Sequence, residues 1–335
     1  MIGGRFFIQL VTNQIMRTHH HLAAILTGTA VVSAIVITLP SAARALPGTQ
    51  VNDIAREVTV LIRGEQGQGS GVIIQRNGNT YSVLTAYHVV SSREGFRLLT
   101  ADKQPHKIDA SKIRRVAGVD LAVVEFTSDK NYSVAKIGTS KTNEGQDVFV
   151  SGWPSNGAVG NEAGGELIRQ FTSGSISGFL PKALNGYSMI YTNVTRAGMS
   201  GCPVLDTAGR LVGIHGMGDR EDAKKLRESG ASQEAVTIAS KLKSGFNYAV
   251  PISVFLKKAD SVGISSNALQ IEQSPAPEAG AAYTASNQPD PRDKISNLQA
   301  TLNTLGDLKK GADAVRDGAH SVQQGIESIR GLFGR

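Results

Sequence analysis

The chain has 335 residues, 40% of them hydrophobic, 19% charged and 5% aromatic, which suits a globular protein of about two domains and excludes wholesale disorder. A formal charge of +7 could serve a nucleic-acid partner, but Arg5, Arg17 and Arg44 lie in a first fifty residues that hold no acid, and no Lys/Arg block is interleaved with aromatics. Nucleic-acid binding is therefore set aside, and a single cysteine, Cys202, rules out an intramolecular disulfide.

In chain order, Leu22 to Leu39 is apolar or small throughout, preceded by Arg17 and three histidines and followed by the small-x-small site Ala43-Arg44-Ala45. Residues 1–45 are read as a signal peptide, with an uncleaved membrane anchor as the alternative; both export the rest of the chain to the periplasm or beyond. From Val51 to about Lys257 short β-type runs alternate with turn signals, without the helices a parallel α/β sheet would need. The runs are Val58–Ile62, Gly71–Ile74, Tyr81–Thr85, Arg97–Leu99, Leu121–Glu125, Val148–Ser151, Ile168–Ile176, Met189–Asn193, Pro203–Leu205, Leu211–Ile214 and Asn247–Val250, with Asn77-Gly78 as a hairpin turn. A break near Gly138–Gly145 divides them into two β domains, 51–137 and 138–258, of the sandwich or barrel kind. Residues 219–243, charged and Ala-rich, read as a helical insertion in the second domain, and Ile252–Lys258 reads as its closing helix.

Residues 264–291 have the Pro/Ala/Ser/Gly composition of a disordered linker. The tail 292–335 then carries apolar residues in steps of three and four, from Ile295, Leu298, Leu302 and Leu305 to Phe333, an amphipathic helix with a narrow seam. Its glycines weaken it by up to about 1 kcal/mol each relative to alanine, so it should need a partner surface: another copy of the chain, a partner helix or a membrane face.

Four histidines lie beyond the leader, and two have a chemical context. His88 follows the apolar strand Ser82-Val83-Leu84-Thr85-Ala86-Tyr87, where a barrel would hold a base rigidly. Asp120 stands at the mouth of the strand Leu121-Ala122-Val123-Val124, where a buried carboxylate needs pairing, and a histidine N–H would pair it. Ser200 is flanked by glycines in Gly198-Met199-Ser200-Gly201-Cys202-Pro203, a loop able to turn sharply and offer the amides of Gly198 and Ser200 as an oxyanion hole. Singly, each has a commoner explanation: a core histidine, a turn aspartate, a plain loop. Together, in the order His, Asp, Ser on β-rich sequence, they make a nucleophile, base and orienting acid, and the order separates them from an α/β-hydrolase. No metal cluster or phosphate loop is visible, so no cofactor is expected.

Thr85-Ala86-Tyr87-His88-Val89-Val90, Val119-Asp120-Leu121-Ala122 and Gly198-Met199-Ser200-Gly201-Cys202-Pro203-Val204 resemble the three triad blocks of trypsin-like bacterial serine proteases, over roughly residues 51–258. The resemblance implies an all-β fold of two six-stranded antiparallel barrels, a catalytic triad of His88, Asp120 and Ser200 in the cleft between them, an acyl-enzyme route and polypeptide substrates. Met199 and Cys202 depart from the family. Met199 lacks the carboxylate that would pair with a new N-terminus, so activation of that kind is not expected, and Cys202 reads as a small buried hydrophobe.

Phe149-Val150-Ser151-Gly152-Trp153-Pro154, Val212-Gly213-Ile214-His215-Gly216 and Phe246-Asn247-Tyr248-Ala249-Val250 are similar to the glutamyl endopeptidase branch. That likeness implies Thr195 and His215 as substrate-binding residues of an acidic specificity pocket; otherwise His215 is a strand-end cap. Gly69-Ser70-Gly71-Val72 is shared with HtrA proteases, which makes a broad-specificity enzyme without a PDZ domain the alternative, and a non-catalytic protease-like scaffold working through its C-terminal helix the third reading.

Overall fold

The computed structural model describes residues 45–65, 67–92, 95–155, 167–218, 245–278 and 290–295. The leader, the 219–243 insertion and the tail beyond residue 295 lie outside the described residues, so the expectations for them are not addressed by the fold. Among the described residues no helix is long and apolar enough to cross a membrane.

The described chain opens with a helix the sequence reading did not assign, α1 (Gly48–Val58). It buries Val51, Ala55 and Val58, a spacing of four and three that puts them on one stripe. A seven-stranded antiparallel sheet follows, built from β1 (Thr59–Arg63), β2 (Gln68–Asn77), β3 (Thr80–Thr85), β4 (Arg97–Leu99), β5 (Pro105–Lys107), β6 (Arg114–Arg115) and β7 (Ala122–Thr127) in the order β5-β4-β1-β2-β3-β7-β6. Val60, Ile62, Ile73, Val83, Ala122 and Val124 alternate toward one buried cluster.

The second sheet contains β8 (Ile137–Gly138), β9 (Asp147–Gly152), β11 (Gln170–Leu184), β12 (Tyr187–Tyr191), β13 (Pro203–Leu205), β14 (Leu211–Gly218), β15 (Asn247–Pro251) and β16 (Ile271–Glu272), ordered β13-β9-β11-β12-β15-β14-β8-β16. An additional β13–β14 pairing closes β13, β9, β11, β12, β15 and β14 into a six-stranded ring. Each run read as a strand overlaps a strand here, although Val58 closes α1 and the run Ile168–Ile176 is divided at Arg169 between a short strand, Leu167–Ile168, and β11.

The expected pair of six-stranded barrels is therefore half right. The second is a closed barrel; the first is an open sheet, because its end strands β5 and β6 do not pair with each other. β5 begins with Pro105, which has no N–H to give, and β6 is two residues long, so backbone closure has little to work with.

Residues 264–278, read as disordered linker, instead run along the second barrel. β16 pairs with β8, and the fully buried Arg210 donates to the carbonyls of Ser274 (3.0 Å) and Pro275 (3.2 Å). Linker composition cannot form a core of its own, but its carbonyls satisfy a buried guanidinium. Further on, β17 (Lys294–Ile295) pairs with β10 (Leu167–Ile168), and the start of the expected helical tail is a 3₁₀ turn at Pro291–Asp293. There Asp293 is clasped by Arg56 of α1 (2.8 and 3.0 Å) and by Arg169 (2.7 Å).

Candidate active site

His88 sits in a 3₁₀ turn (Tyr87–Val89) immediately after β3, and Asp120 in the turn that feeds β7; β3 and β7 are neighbours, which brings the two turns together. His88 Nδ1 lies 2.7 Å from Asp120 Oδ2, and the His88 amide donates to Asp120 Oδ1 at 2.9 Å. The Tyr187 hydroxyl donates to Oδ2 at 2.7 Å. Burial pushes the Asp120 carboxyl upward, but the hydrogen bonds from His88 and Tyr187 outweigh it and hold the group below the usual carboxylate range. An ionised Asp120 accepts the Nδ1 proton, which leaves the Nε2 lone pair for a substrate-side proton.

Ser200 reaches the same cleft from the second barrel, in the loop before β13. The cleft, about 450 Å³, is lined by His88, Val89, Gly198, Ser200, Gly216 and Met217 among others. The Ser200 hydroxyl donates to the Gly216 carbonyl at 3.3 Å, a long bond that a small rotation of the side chain would release.

The two amides of the expected oxyanion hole are aimed by their own peptide planes. In a trans peptide the C=O and N–H point to opposite sides. The Ala197 carbonyl is held by the Ser155 amide at 2.8 Å, so the Gly198 N–H faces away from Ser155; the Met199 carbonyl is held by the Cys202 amide at 3.0 Å, so the Ser200 N–H faces away from Cys202. Among the described residues neither amide donates to a protein acceptor. Gly198 has φ of +89° and lies so close to residue 155 that a Cβ would stand 2.3 Å from the Ser155 nitrogen, so no other residue fits.

Ser70 is a supporting residue that the sequence showed only as part of a motif. Its amide donates to the Ser200 carbonyl (2.8 Å), and its hydroxyl accepts from the Trp153 amide (2.9 Å) and donates to the Gly198 carbonyl (3.3 Å). One residue of the first sheet, through its amide and its hydroxyl, thus fastens both ends of the nucleophile loop. Met199 and Cys202 are fully buried in the core of the ring with Val148, Val150 and Val204, which for Cys202 is the small apolar role read from the sequence.

Thr195 and His215 are not among the residues lining the cleft. Both are buried; His215 directly precedes the lining residue Gly216, and Thr195 stands two positions before the lining residue Ala197. Thr195 donates to the Asn247 side chain, itself anchored to the Asn193 carbonyl at 2.6 Å, and His215 Nδ1 is bonded to the Tyr191 hydroxyl. Burial raises the Tyr191 phenol well above its ordinary value, with Cys202 and Tyr187 adding to the effect, so it stays protonated. Arg196, beside Thr195, is exposed.

Residues 69–214 match the family described as the trypsin-like peptidase domain. Among curated proteins, the serine protease Do-like HtrA of Bacillus subtilis is 30% identical over 167 residues, 47% of this chain and 35% of that protein. The chloroplastic Protease Do-like 1 of Arabidopsis thaliana is 31% identical over 159 residues, 45% of this chain and 33% of that protein. The chain thus spans about a third of the length of these relatives. A solved serine endoprotease from Yersinia pestis covers 65% of the chain at 20% identity with a TM-score of 0.47, the chain spanning 66% of that structure. Residues 69–214 are thus similar to the trypsin-like peptidase domain, and the chain resembles HtrA-type serine proteases over about a third of their length.

Proposed function

We propose that this domain is the catalytic part of an exported serine endopeptidase in which Ser200 attacks the scissile carbonyl, His88 takes and returns the proton, and Asp120 orients the imidazole. The observation that carries the reading is the 2.7 Å His88–Asp120 bond opening onto the same cleft as Ser200. As Ser200 Oγ bonds to the carbonyl carbon, its proton passes to His88 Nε2, and the developing oxyanion is received by the amides of Gly198 and Ser200. Collapse expels the amine, which takes the proton from His88, and water repeats the sequence on the acyl-enzyme. Labelling by a fluorophosphonate, lost in Ser200→Ala and His88→Ala, tests it; absence of labelling in the intact chain would return the protein to the scaffold reading.

For specificity, we propose a preference for Glu or Asp before the scissile bond. The Tyr191 hydroxyl sits on His215 Nδ1, and as the donor there it would put the ring proton on Nε2 and make that nitrogen a donor; the Thr195 hydroxyl, which donates to the Asn247 side chain, would have to turn to reach a substrate carboxylate. The second reading is a broad, HtrA-like specificity, favoured by the Do-like relatives and by the absence of both residues from the cleft lining. Matched peptides with Glu, Gln, Leu or Lys at that position separate the two. An acid-binding site can reject an analogue without the carboxylate by roughly 10⁴-fold, whereas flat or Leu-favouring turnover ends the acidic reading. Association through the Leu298–Phe333 seam is likewise a proposal, tested by the solution mass of a chain ending at residue 295.

A further inference from the structure

The second barrel reaches across to the acid of the first sheet. The hairpin joining β11 and β12 turns at Asn185 and Gly186, both in the left-handed region with φ of 50° and 91°. Its tip lands on the turn that carries Asp120, whose amide donates to the Asn185 carbonyl at 2.8 Å. The next residue, Tyr187, is 3% exposed, and its hydroxyl donates to the same Asp120 oxygen that faces His88 Nδ1.

That hydroxyl stands in space that exists only because residue 216 has no side chain. A Cβ on Gly216 would lie 1.9 Å from the Tyr187 hydroxyl oxygen and 2.8 Å from Cζ of the ring. Gly216 is also the residue whose carbonyl accepts from Ser200. One phenol is therefore wedged between the acid and the strand that borders the nucleophile, and the pair Tyr187 with Gly216 is a matched set: a larger residue at 216 and a tyrosine at 187 cannot coexist in this geometry.

We propose that Tyr187 is a positioning residue for catalysis: admitted by the bare backbone of Gly216, its hydroxyl fixes the Asp120 carboxylate against His88 from the opposite barrel. The inference rests on the triad reading above. Asp120 keeps an 18% exposed side chain, so without the phenol its Oδ2 is open to water and to rotation away from His88. The carboxylate matters most when His88 becomes an imidazolium, in the transition state. Tyr187 does not line the cleft, so its loss should act on kcat and spare KM.

The test uses the full chain. Tyr187→Phe keeps the ring and removes only the hydroxyl; kcat should fall about tenfold, the worth of one hydrogen bond to a charged group, with KM unchanged. Tyr187→Leu should lose at least as much, and Gly216→Ser alone, which collides with the phenol, more still. Combined, Tyr187→Leu with Gly216→Ser should regain most of the kcat lost in Tyr187→Leu, because the serine hydroxyl takes the place of the phenol; a merely space-filling tyrosine predicts no such rescue. A Tyr187→Phe enzyme within twofold of wild-type kcat overturns the inference, and so does a double variant no better than Tyr187→Leu. These outcomes are distinct from failure of the triad reading, which would show as an unaltered wild-type chain that takes no fluorophosphonate at Ser200.

Discussion

The two β domains close by different means. In the second, every neighbour around the ring β13-β9-β11-β12-β15-β14 is joined by backbone hydrogen bonds. In the first, the sheet edges are left unpaired and side chains do the closing: His106 of β5 lies 4.6 Å, centroid to centroid, from Phe126 of β7, and Tyr81 and Tyr132 stack around Phe126 at 5.0 and 5.8 Å. Backbone closure is insensitive to which side chains are present; side-chain closure is not. The difference also divides the chemistry, since the nucleophile and its amides are carried by the ring while the base and acid are carried by the open sheet. Substitutions should therefore separate the two: on the ring side they should remove chemistry and leave stability, on the open side they should touch both.

The largest effect belongs to the ring. Ser200→Ala should lower kcat on the order of 10⁶-fold with an unchanged urea midpoint, since the loop is fixed by backbone contacts and by Ser70 rather than by the serine hydroxyl. Residual turnover above a few per cent would show that Ser200 is not the nucleophile. On the open-sheet side Asp120→Asn should cost about 10⁴-fold in kcat. It should also reduce stability, because burial of Asp120 is compensated only by His88 and Tyr187, and an amide accepts those bonds less strongly. Equal midpoints for Asp120→Asn and Ser200→Ala would remove the contrast.

The seam between the two domains is the next place to press. Asp293 is buried between Arg56 and Arg169, and Arg169 also donates to Ser151 and Asn52 at 2.6 Å each. Removing the carboxylate takes away the charged partner that both guanidinium groups share, while Arg56 keeps Asp53 and Asp290, so Asp293→Ala should cost about 1.5–3 kcal/mol in urea unfolding. Burial pushes this carboxyl up, but the hydrogen bonds from both arginines hold it below its ordinary value. Its contribution is thus present above the unfolded-state pKa near 4 and is lost as pH falls through the lower folded value. A chain cut after residue 264 should show a comparable loss, since it also strips the acceptors of Arg210.

What could be read from the sequence follows from how local the signal is. His88, Asp120 and Ser200 each sit in a short block of strand or Gly-rich loop whose order along the chain carries meaning, and the strand runs were legible because a period of two needs only neighbours. Backbone closure of the ring depends on Pro203–Leu205 meeting Leu211–Ile214 on one side and Val150 and Phe149 on the other, which no local pattern states. Asn185-Gly186 is a hairpin signal, yet nothing in the sequence says that Tyr187, just past its tip, meets Asp120, 67 positions away. Asp293 was hidden more completely: it lies beyond a stretch of Pro, Ala and Ser, and its partner Arg56 is 237 positions earlier on a helix whose period is too short to stand out.

Side-chain closure of the first sheet gives a more moderate prediction. Phe126→Leu keeps an apolar residue but removes the ring against which His106, Tyr81 and Tyr132 pack, and should cost about 1–2 kcal/mol. The loss should be local, with hydrogen exchange accelerated at His106, Lys107 and β3 residues such as Tyr81 while Tyr187–Tyr191 in the ring is unaffected. Uniform acceleration in both domains would mean that they open together and that the closure contrast has no dynamic consequence.

The smallest effect is a pH dependence confined to the open sheet. Burial pushes the His106 imidazole below its ordinary value, against the pull of the Asp102 carboxylate and the Thr127 backbone, with Lys130 adding to the depression. Thr100 and Tyr132 hydroxyls stand at 3.3 and 3.2 Å from its Nε2. The folded protein therefore favours neutral His106, while the unfolded chain takes a proton as pH falls through about 6.5. Over that interval the unfolded state binds more protons, so stability rises with pH and is lost on acidification, until the pH passes the lower folded value. The contribution to the slope is at most ~1.4 kcal/mol per pH unit, one proton's worth. It lies above the carboxylate window of Asp293 and Asp120, so between pH 7 and 5 the first sheet should soften before the seam and the ring do. His106→Phe should flatten the dependence of the urea midpoint on pH in this range, even though it loses the two hydroxyl contacts and starts from a lower value. Parallel slopes for the variant and the wild type would mean that His106 keeps its proton balance unchanged on folding, and that the aromatic closure of the first sheet is blind to pH.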